Sequence, residues 1–116
     1  MSEDIPHAPR LTRLFEAMVR AGASDLHLKP SRPAYVRIGG DVRSGPGKPL
    51  SSEEIYSMVD EMMTDKQRAL YAEQGSVDLA YELPDSDRFR INVFLQRGKT
   101  AVAVRRVTRE IPDFKA

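Results

Sequence analysis

Cysteine and tryptophan are absent from the 116-residue sequence, and histidine occurs only twice, as His7 and His27. Without cysteine the chain has no disulfide framework and no thiolate chemistry. Metal sites need three or four converging ligands, which two distant histidines do not supply. No apolar run is long enough to span a bilayer, and no secretory apolar segment follows Met1. These absences are compatible with a cytoplasmic location.

Negative charge is missing from a stretch near the C-terminus. Between Arg88 and Arg109 there are seven basic residues and no acidic ones, although the net charge of the whole chain is only +1. The rest of the chain is therefore acidic. A basic edge on an acidic body suits an anionic ligand or head-to-tail association between domains. The modest total charge argues against a dedicated nucleic-acid-binding protein, so no nucleic-acid partner is expected.

Hydrophobic periodicity predicts helices and short strands in a defined order. Apolar residues three and four positions apart, from Leu11 to Val19, predict a first helix that ends at Gly22. Capping boxes that begin at Ser51 and Thr64 predict two more helices. Alternating apolar and polar residues predict strands near residues 24–29, 34–38, 42–43, 77–83, 89–95 and 100–107. This order indicates an α+β domain whose antiparallel sheet has helices packed on one side.

The last two predicted strands form a hairpin that places two arginines on one face. Apolar residues occupy every second position of the first strand, at Phe89, Ile91, Val93 and Leu95. A two-residue turn at Arg97 and Gly98 sets Arg90 directly opposite Arg105, whereas a turn at Gly98 and Lys99 makes the pair diagonal. Like charges directly opposite cost about 0.2–1 kcal/mol unless an anion or a carboxylate lies between them. The residues alone favour a solvated basic face, and an anion site, with phosphate as the obvious ligand, is the alternative.

Two other motifs have weaker chemical meaning. The segment from Gly45 to Lys48 (GPGK) superficially resembles a phosphate-binding loop, but the required earlier glycine and the following serine or threonine are replaced by Val42 and Pro49. The chain therefore has no complete P-loop. Asp25 and His27 share one face of a predicted strand, which favours a structural or interface pair over a metal or acid–base site.

Three motifs in the same order resemble the N-terminal domain of the type IV pilus retraction (twitching motility) ATPases, a family of the secretion ATPase superfamily. They are ASDLHL at residues 23–28, VRIGGDV at residues 36–42, and RFRIN at residues 88–92 followed by Val104 and Arg105. The resemblance covers roughly residues 10–114.

The resemblance implies a PAS-like α+β domain at residues 10–109. Residues 1–9 are expected to be a flexible lead-in, and residues 110–116 the start of a linker to a RecA-like ATPase domain. The family's Walker A, Walker B, Asp-box and His-box motifs belong to that second domain, and none occurs here. The chain is therefore expected to be truncated at the linker and not to hydrolyse ATP alone.

The resemblance also implies a cytoplasmic homo-hexameric ring, held near the inner membrane through the pilus or secretion machinery. In such a ring the domain contacts its own and neighbouring ATPase domains, and Arg90 and Arg105 match the positions that reach nucleotide phosphates. ATP and Mg²⁺ are implied for the full-length protein, and no cofactor or metal for the isolated domain. The remaining candidate interface residues are Asp25, His27, Arg88, Lys99 and Arg106. The rival interpretations are a free-standing PAS-like ligand-sensing or interaction module and a nucleic-acid-binding module.

Overall fold

Three helices and six strands make up the described part of the chain, which is residues 10–45, 47–83 and 87–107 of this computed structural model. The helices α1 to α3 are Arg10–Ala21, Ser52–Asp60 and Asp65–Gln74. The strands β1 to β6 are Ala23–Leu28, Tyr35–Ile38, Asp41–Ser44, Ser76–Glu82, Arg88–Gln96 and Lys99–Val107. Their order along the chain confirms the prediction from periodicity. The predicted lead-in (1–9) and linker (110–116) lie outside the described residues.

Capping boxes determine where α2 and α3 begin. The Ser51 hydroxyl accepts a hydrogen bond from the backbone N–H of Glu54 at 3.0 Å, and the Glu54 carboxylate accepts one from the backbone N–H of Ser51 at 2.9 Å. Thr64 and Gln67 form the same reciprocal pair. These bonds satisfy N–H groups that have no partner inside a helix. Helix α3 ends at Gly75, which adopts the left-handed conformation that glycine accommodates without strain.

The six strands form one antiparallel sheet in the order β3-β2-β1-β6-β5-β4. The last strand, β6, lies between β1 and β5, so the first and the last strand pair at the centre of the sheet. All three helices pack on one face, where they meet alternate residues of the strands. In β1 an irregularity between Ala23 and Asp25 shifts this alternation, so that Ala23 is buried together with Leu26 and Leu28. The structure therefore confirms the α+β architecture with helices on one side.

The helix-covered face of the sheet holds the hydrophobic core. The Phe15 ring of α1 stacks on Phe89 of β5 with centroids 4.5 Å apart. At the other end of the layer, the Tyr71 hydroxyl forms a buried hydrogen bond of 2.8 Å with the Thr100 hydroxyl. Leu95 departs from the predicted alternation, because it lies at the hairpin end of β5, beside the C-terminal end of α3, and is 47% exposed.

Candidate functional site

The face of the sheet opposite the helices, called here the open face, carries two rows of directly paired side chains. The first, the arginine row, runs across five strands through Arg37, Asp25, Arg105, Arg90 and Ala80. The second, the histidine row, runs through Tyr35, His27, Ala103, Asn92 and Asp78. Both rows follow from the strand register, since residues two apart on a strand point to the same face.

The hairpin turn determines the register of the two candidate arginines. Arg97 and Gly98 are the two turn residues, with φ angles of 55° and 79°. Two successive positive φ angles are typical of the type I′ turn, whose twist matches the flanking strands. Arg90 therefore lies directly opposite Arg105. The alternative turn at Gly98 and Lys99 is wrong.

The two arginines have different surroundings. The Arg105 Nε donates a long hydrogen bond of 3.4 Å to the Asp25 carboxylate, and the Arg105 side chain is 73% exposed. Arg90 has no ion pair or side-chain hydrogen bond with any residue of the described ranges. Its cross-strand neighbour in β4 is Ala80, whose small side chain leaves space beside the guanidinium group. One arginine is therefore held by a carboxylate of the same domain, and the other is available to an external anion.

Asp25 is the acidic member of the arginine row. Its carboxylate accepts a hydrogen bond of 2.7 Å from the Ser24 hydroxyl and lies 4.0 Å from the Arg37 Nε. The Asp25 side chain is only 15% exposed, so it is more firmly placed than the arginines around it. No sequence pattern indicated this contact, because Asp25 and Arg105 are 80 residues apart. The Asp-x-His pattern indicated only that Asp25 and His27 share a face of the strand.

His27 extends the site along the histidine row. Its ring stacks on that of Tyr35, with centroids 5.0 Å apart and planes inclined by 15°, and the Arg32 guanidinium lies over the Tyr35 ring at 4.8 Å. Burial lowers the pKa of His27 below its ordinary value, although the nearby Asp25 carboxylate opposes this effect. The lowered pKa favours the neutral imidazole at pH 7. In the described ranges, no group of three or more potential ligands gathers around it or elsewhere to hold a metal.

A shallow cavity of about 310 Å³ lies between the two rows. Both candidate arginines line it, together with Asp25, His27, Asp78, Asn92 and Ala103. On the β4 side of the cavity, the Asp78 carboxylate accepts a hydrogen bond of 2.8 Å from the Asn92 amide. Two guanidinium groups beside small alanine side chains make a surface that can bind an anionic group such as a phosphate.

The other predicted interface residues lie in three different places. Arg88 is on the open face and lines a neighbouring depression together with Arg90. Lys99 is paired with Gln96 at the hairpin turn, at the far end of the strand. Arg106 lies on the opposite face, where it forms an ion pair with Asp87 and donates a hydrogen bond to the Ala23 carbonyl oxygen. The structure therefore brings Arg88 near the arginine pair, but not Lys99 or Arg106.

None of the helices in the described ranges is long and apolar enough to cross a bilayer.

Sequence comparison relates the chain to pilus motor proteins. No protein-family model matches it. It is 39% identical over 93 residues to the type IV pilus retraction ATPase PilT of Pseudomonas aeruginosa, an alignment that covers 79% of this chain and 27% of that protein. It is 31% identical over 103 residues to the type IV pilus ATPase PilU of the same species, covering 89% of this chain and 27% of PilU. The chain therefore spans about a quarter of the length of these curated relatives.

Comparison with solved structures gives the same result. A crystal structure of the pilus retraction motor PilT with bound ADP superimposes with a TM-score of 0.80 and 34% identity, covering 94% of this chain and 32% of that one. The Legionella pneumophila ATPase DotB shares the fold, with a TM-score of 0.74 at 19% identity over 97% of this chain and 32% of that one. By sequence and by fold, the chain belongs to the secretion ATPase superfamily as a homologue of part of the type IV pilus retraction ATPases.

Proposed function

We propose that this chain is the N-terminal, ring-forming and regulatory domain of a hexameric motor ATPase that powers type IV pilus retraction or a related secretion process. Arg90 and Arg105 contact the phosphates of ATP, accompanied by Mg²⁺, bound in an adjoining ATPase domain. The observation that carries this proposal is the direct pairing of the two arginines on the open face. We infer that the anion is a nucleotide because the relatives are named ATPases.

The electrostatics of the pair support an external phosphate. Two guanidinium groups directly opposite on a sheet repel each other, and Asp25 contacts only Arg105 of the two. A phosphate that bridges both groups would remove this repulsion and form charge-assisted hydrogen bonds with each. Arg90, which has no ion pair within the described ranges, gains most from such a ligand.

The proposed assembly follows from the need for a second domain. The open face offers charge to a nucleotide but contains no complete phosphate-binding loop. In the proposed ring the phosphates lie between this face and an ATPase domain of the same or a neighbouring subunit. Closure of the two domains around the nucleotide couples its state to movement. The ring is cytoplasmic and acts on the inner-membrane pilus or secretion machinery.

The proposal is tested by ATPase assays on the full-length protein encoded by the native gene. We expect Arg90→Ala and Arg105→Ala to lower kcat at least about tenfold, since each removes a charged donor aimed at the phosphates. Arg13→Ala is the matched control, because Arg13 is exposed on α1, on the other side of the sheet. If all three variants hydrolyse ATP at the wild-type rate, the assignment of the arginines is wrong.

The size of the native protein tests the other half of the proposal. An antibody raised against this domain should detect a protein much larger than 13.1 kDa in cells of the source organism. A native band of 13.1 kDa would contradict the proposal. It would favour a free-standing module that binds a small anionic ligand in the open-face cavity, which is the second candidate function.

A further inference from the structure

Asp25 occupies an unusual position for a carboxylate, because it lies in the middle of a row of arginines. In that row it is the direct cross-strand neighbour of Arg37 on one side and of Arg105 on the other. Its two oxygen atoms face different arginines, with Oδ1 at 3.4 Å from the Arg105 Nε and Oδ2 at 4.0 Å from the Arg37 Nε. An anion already present in the fold therefore occupies part of the surface that is proposed to bind phosphate.

The contact between Asp25 and Arg105 is weak enough for a phosphate to replace it. Asp25 is fixed, because its side chain is 15% exposed and its Oδ2 accepts the Ser24 hydroxyl at 2.7 Å. Arg105 is 73% exposed and makes one long hydrogen bond through Nε rather than a bidentate pair. Exposed single-bond ion pairs contribute little stability. A phosphate, with a higher charge and several acceptor oxygens, makes stronger bonds to the same guanidinium group.

We propose that Asp25 is a specificity-determining residue of the anion site, which competes with the ligand for Arg105 and so selects polyphosphates over anions of low charge. A ligand must carry enough negative charge to draw Arg105 away from Asp25 while it contacts Arg90. This inference rests on the proposed function, in which Arg90 and Arg105 bind phosphate. It adds the residue that sets the threshold for binding.

The two arginines then have different roles in binding. Arg90, without an ion pair in the described ranges, is the first contact for an incoming anion. Arg105 leaves Asp25 only when the ligand attracts its guanidinium group more strongly than the Asp25 carboxylate does. A singly charged anion satisfies Arg90 and leaves Arg105 on Asp25, whereas a polyphosphate engages both.

The test measures inorganic pyrophosphate binding to this chain by isothermal titration calorimetry at fixed ionic strength. Asp25→Asn, which keeps the shape and one acceptor oxygen but removes the charge, should tighten pyrophosphate binding about fivefold, the factor given by one unit charge near a water-exposed site. Asp25→Glu keeps the charge and should stay near the wild-type affinity. In an Arg105→Ala background, Asp25→Asn should have a much smaller effect.

The matched control is Asp78→Asn. Asp78 lines the same cavity but is hydrogen-bonded to Asn92 and forms no ion pair with an arginine in the described ranges. Removing its charge should tighten binding by about twofold or less, since only a screened long-range interaction is lost. Equal effects of Asp25→Asn and Asp78→Asn would overturn the competition, as would weaker binding by Asp25→Asn.

An NMR titration of the wild-type chain with pyrophosphate tests the role of Asp25 without any substitution. Saturating pyrophosphate should shift both the Arg105 Nε–Hε resonance and the Asp25 side-chain carboxyl carbon in NMR spectra, and an unchanged Asp25 signal would overturn the inference. If Arg90→Ala and Arg105→Ala weaken pyrophosphate binding but Asp25→Asn behaves like Asp78→Asn, only the role of Asp25 fails. If pyrophosphate binds in a way that none of these substitutions changes, the proposed arginine site fails with it.

Discussion

The helix-covered face and the open face of the sheet are formed by alternate residues of the same strands. Phe89 and Ile91 of β5 are fully buried beneath the helices, whereas Arg90, between them, faces the opposite side and is exposed. The same change of environment occurs on β6 between Val104 and Arg105. The hydrophobic core and the proposed anion site therefore lie on opposite sides of the sheet, so a substitution on the open face should change the stability much less than one in the core.

The largest effect is expected from the helix-covered face. Phe15→Ala removes a ring that is 0% exposed and stacks on Phe89 at 4.5 Å, so it should lower the free energy of unfolding by about 3–5 kcal/mol. Urea denaturation followed by circular dichroism measures the change. Arg13→Ala, on the exposed side of the same helix, should change it by less than about 0.5 kcal/mol. Similar losses in both variants would contradict the division between the faces.

A smaller loss is expected where the covered face contains a polar contact. Tyr71→Phe removes the buried hydroxyl that bonds the Thr100 hydroxyl at 2.8 Å, and should cost about 1–2 kcal/mol of unfolding free energy. A double-mutant cycle with Thr100→Val isolates the hydrogen bond from the loss of either group alone. Strictly additive effects in that cycle would show that the two hydroxyls do not interact.

On the open face, removal of a charge should stabilise the domain slightly. Arg90→Gln ends the repulsion with Arg105 and should raise the free energy of unfolding by about 0.2–1 kcal/mol in low salt. The gain should shrink in about 1 M salt, which screens exposed charges. Lys99→Gln is the control, because Lys99 faces the neutral Gln96 across the turn. A loss of stability in Arg90→Gln alone would mean that Arg90 makes a stabilising contact.

The smallest effect concerns the pH dependence contributed by His27. Because burial lowers the pKa of His27 in the folded state, the unfolded chain takes up this proton more readily as pH falls through the ordinary value of 6.5. The contribution of His27 to the free energy of unfolding is therefore fully present above pH 6.5, and it is lost as pH falls toward the lower pKa of the folded state. Unfolding free energies measured from pH 7.5 to pH 5 should fall more in the wild type than in His27→Gln. Parallel curves would contradict a lowered pKa.

The predictable part of the fold rests on local patterns. Capping residues and spacing located all three helices, because the signals lie within a few residues of each helix start. The burial of Phe89, Ile91 and Val93 followed from their alternation. The exposure of Leu95 did not, since periodicity shows which side of a strand a residue faces but not how far the helix layer extends over that side.

Only one part of the candidate site, the shared face of its two arginines, was predictable from the sequence. A hairpin is a local structure, so the period of two along a strand placed Arg90 and Arg105 on one face. The structure then selected the turn at Arg97 and Gly98, which sets them directly opposite. The choice between a solvated basic face and an anion site could not be made from the sequence, because the surroundings of the arginine pair come from residues that are distant in the chain.

The sequence by itself determined the elements, the alternation along most strands and the shared face of Arg90 and Arg105, because all of these depend on residues close together in the chain. Only the tertiary structure decided that β6 lies beside β1. That placement brings Asp25 to Arg105 across 80 residues and His27 to the edge of the same cavity. The physical reason is that strand order is selected by how the sheet and the helices bury their apolar surfaces together, which no single segment specifies.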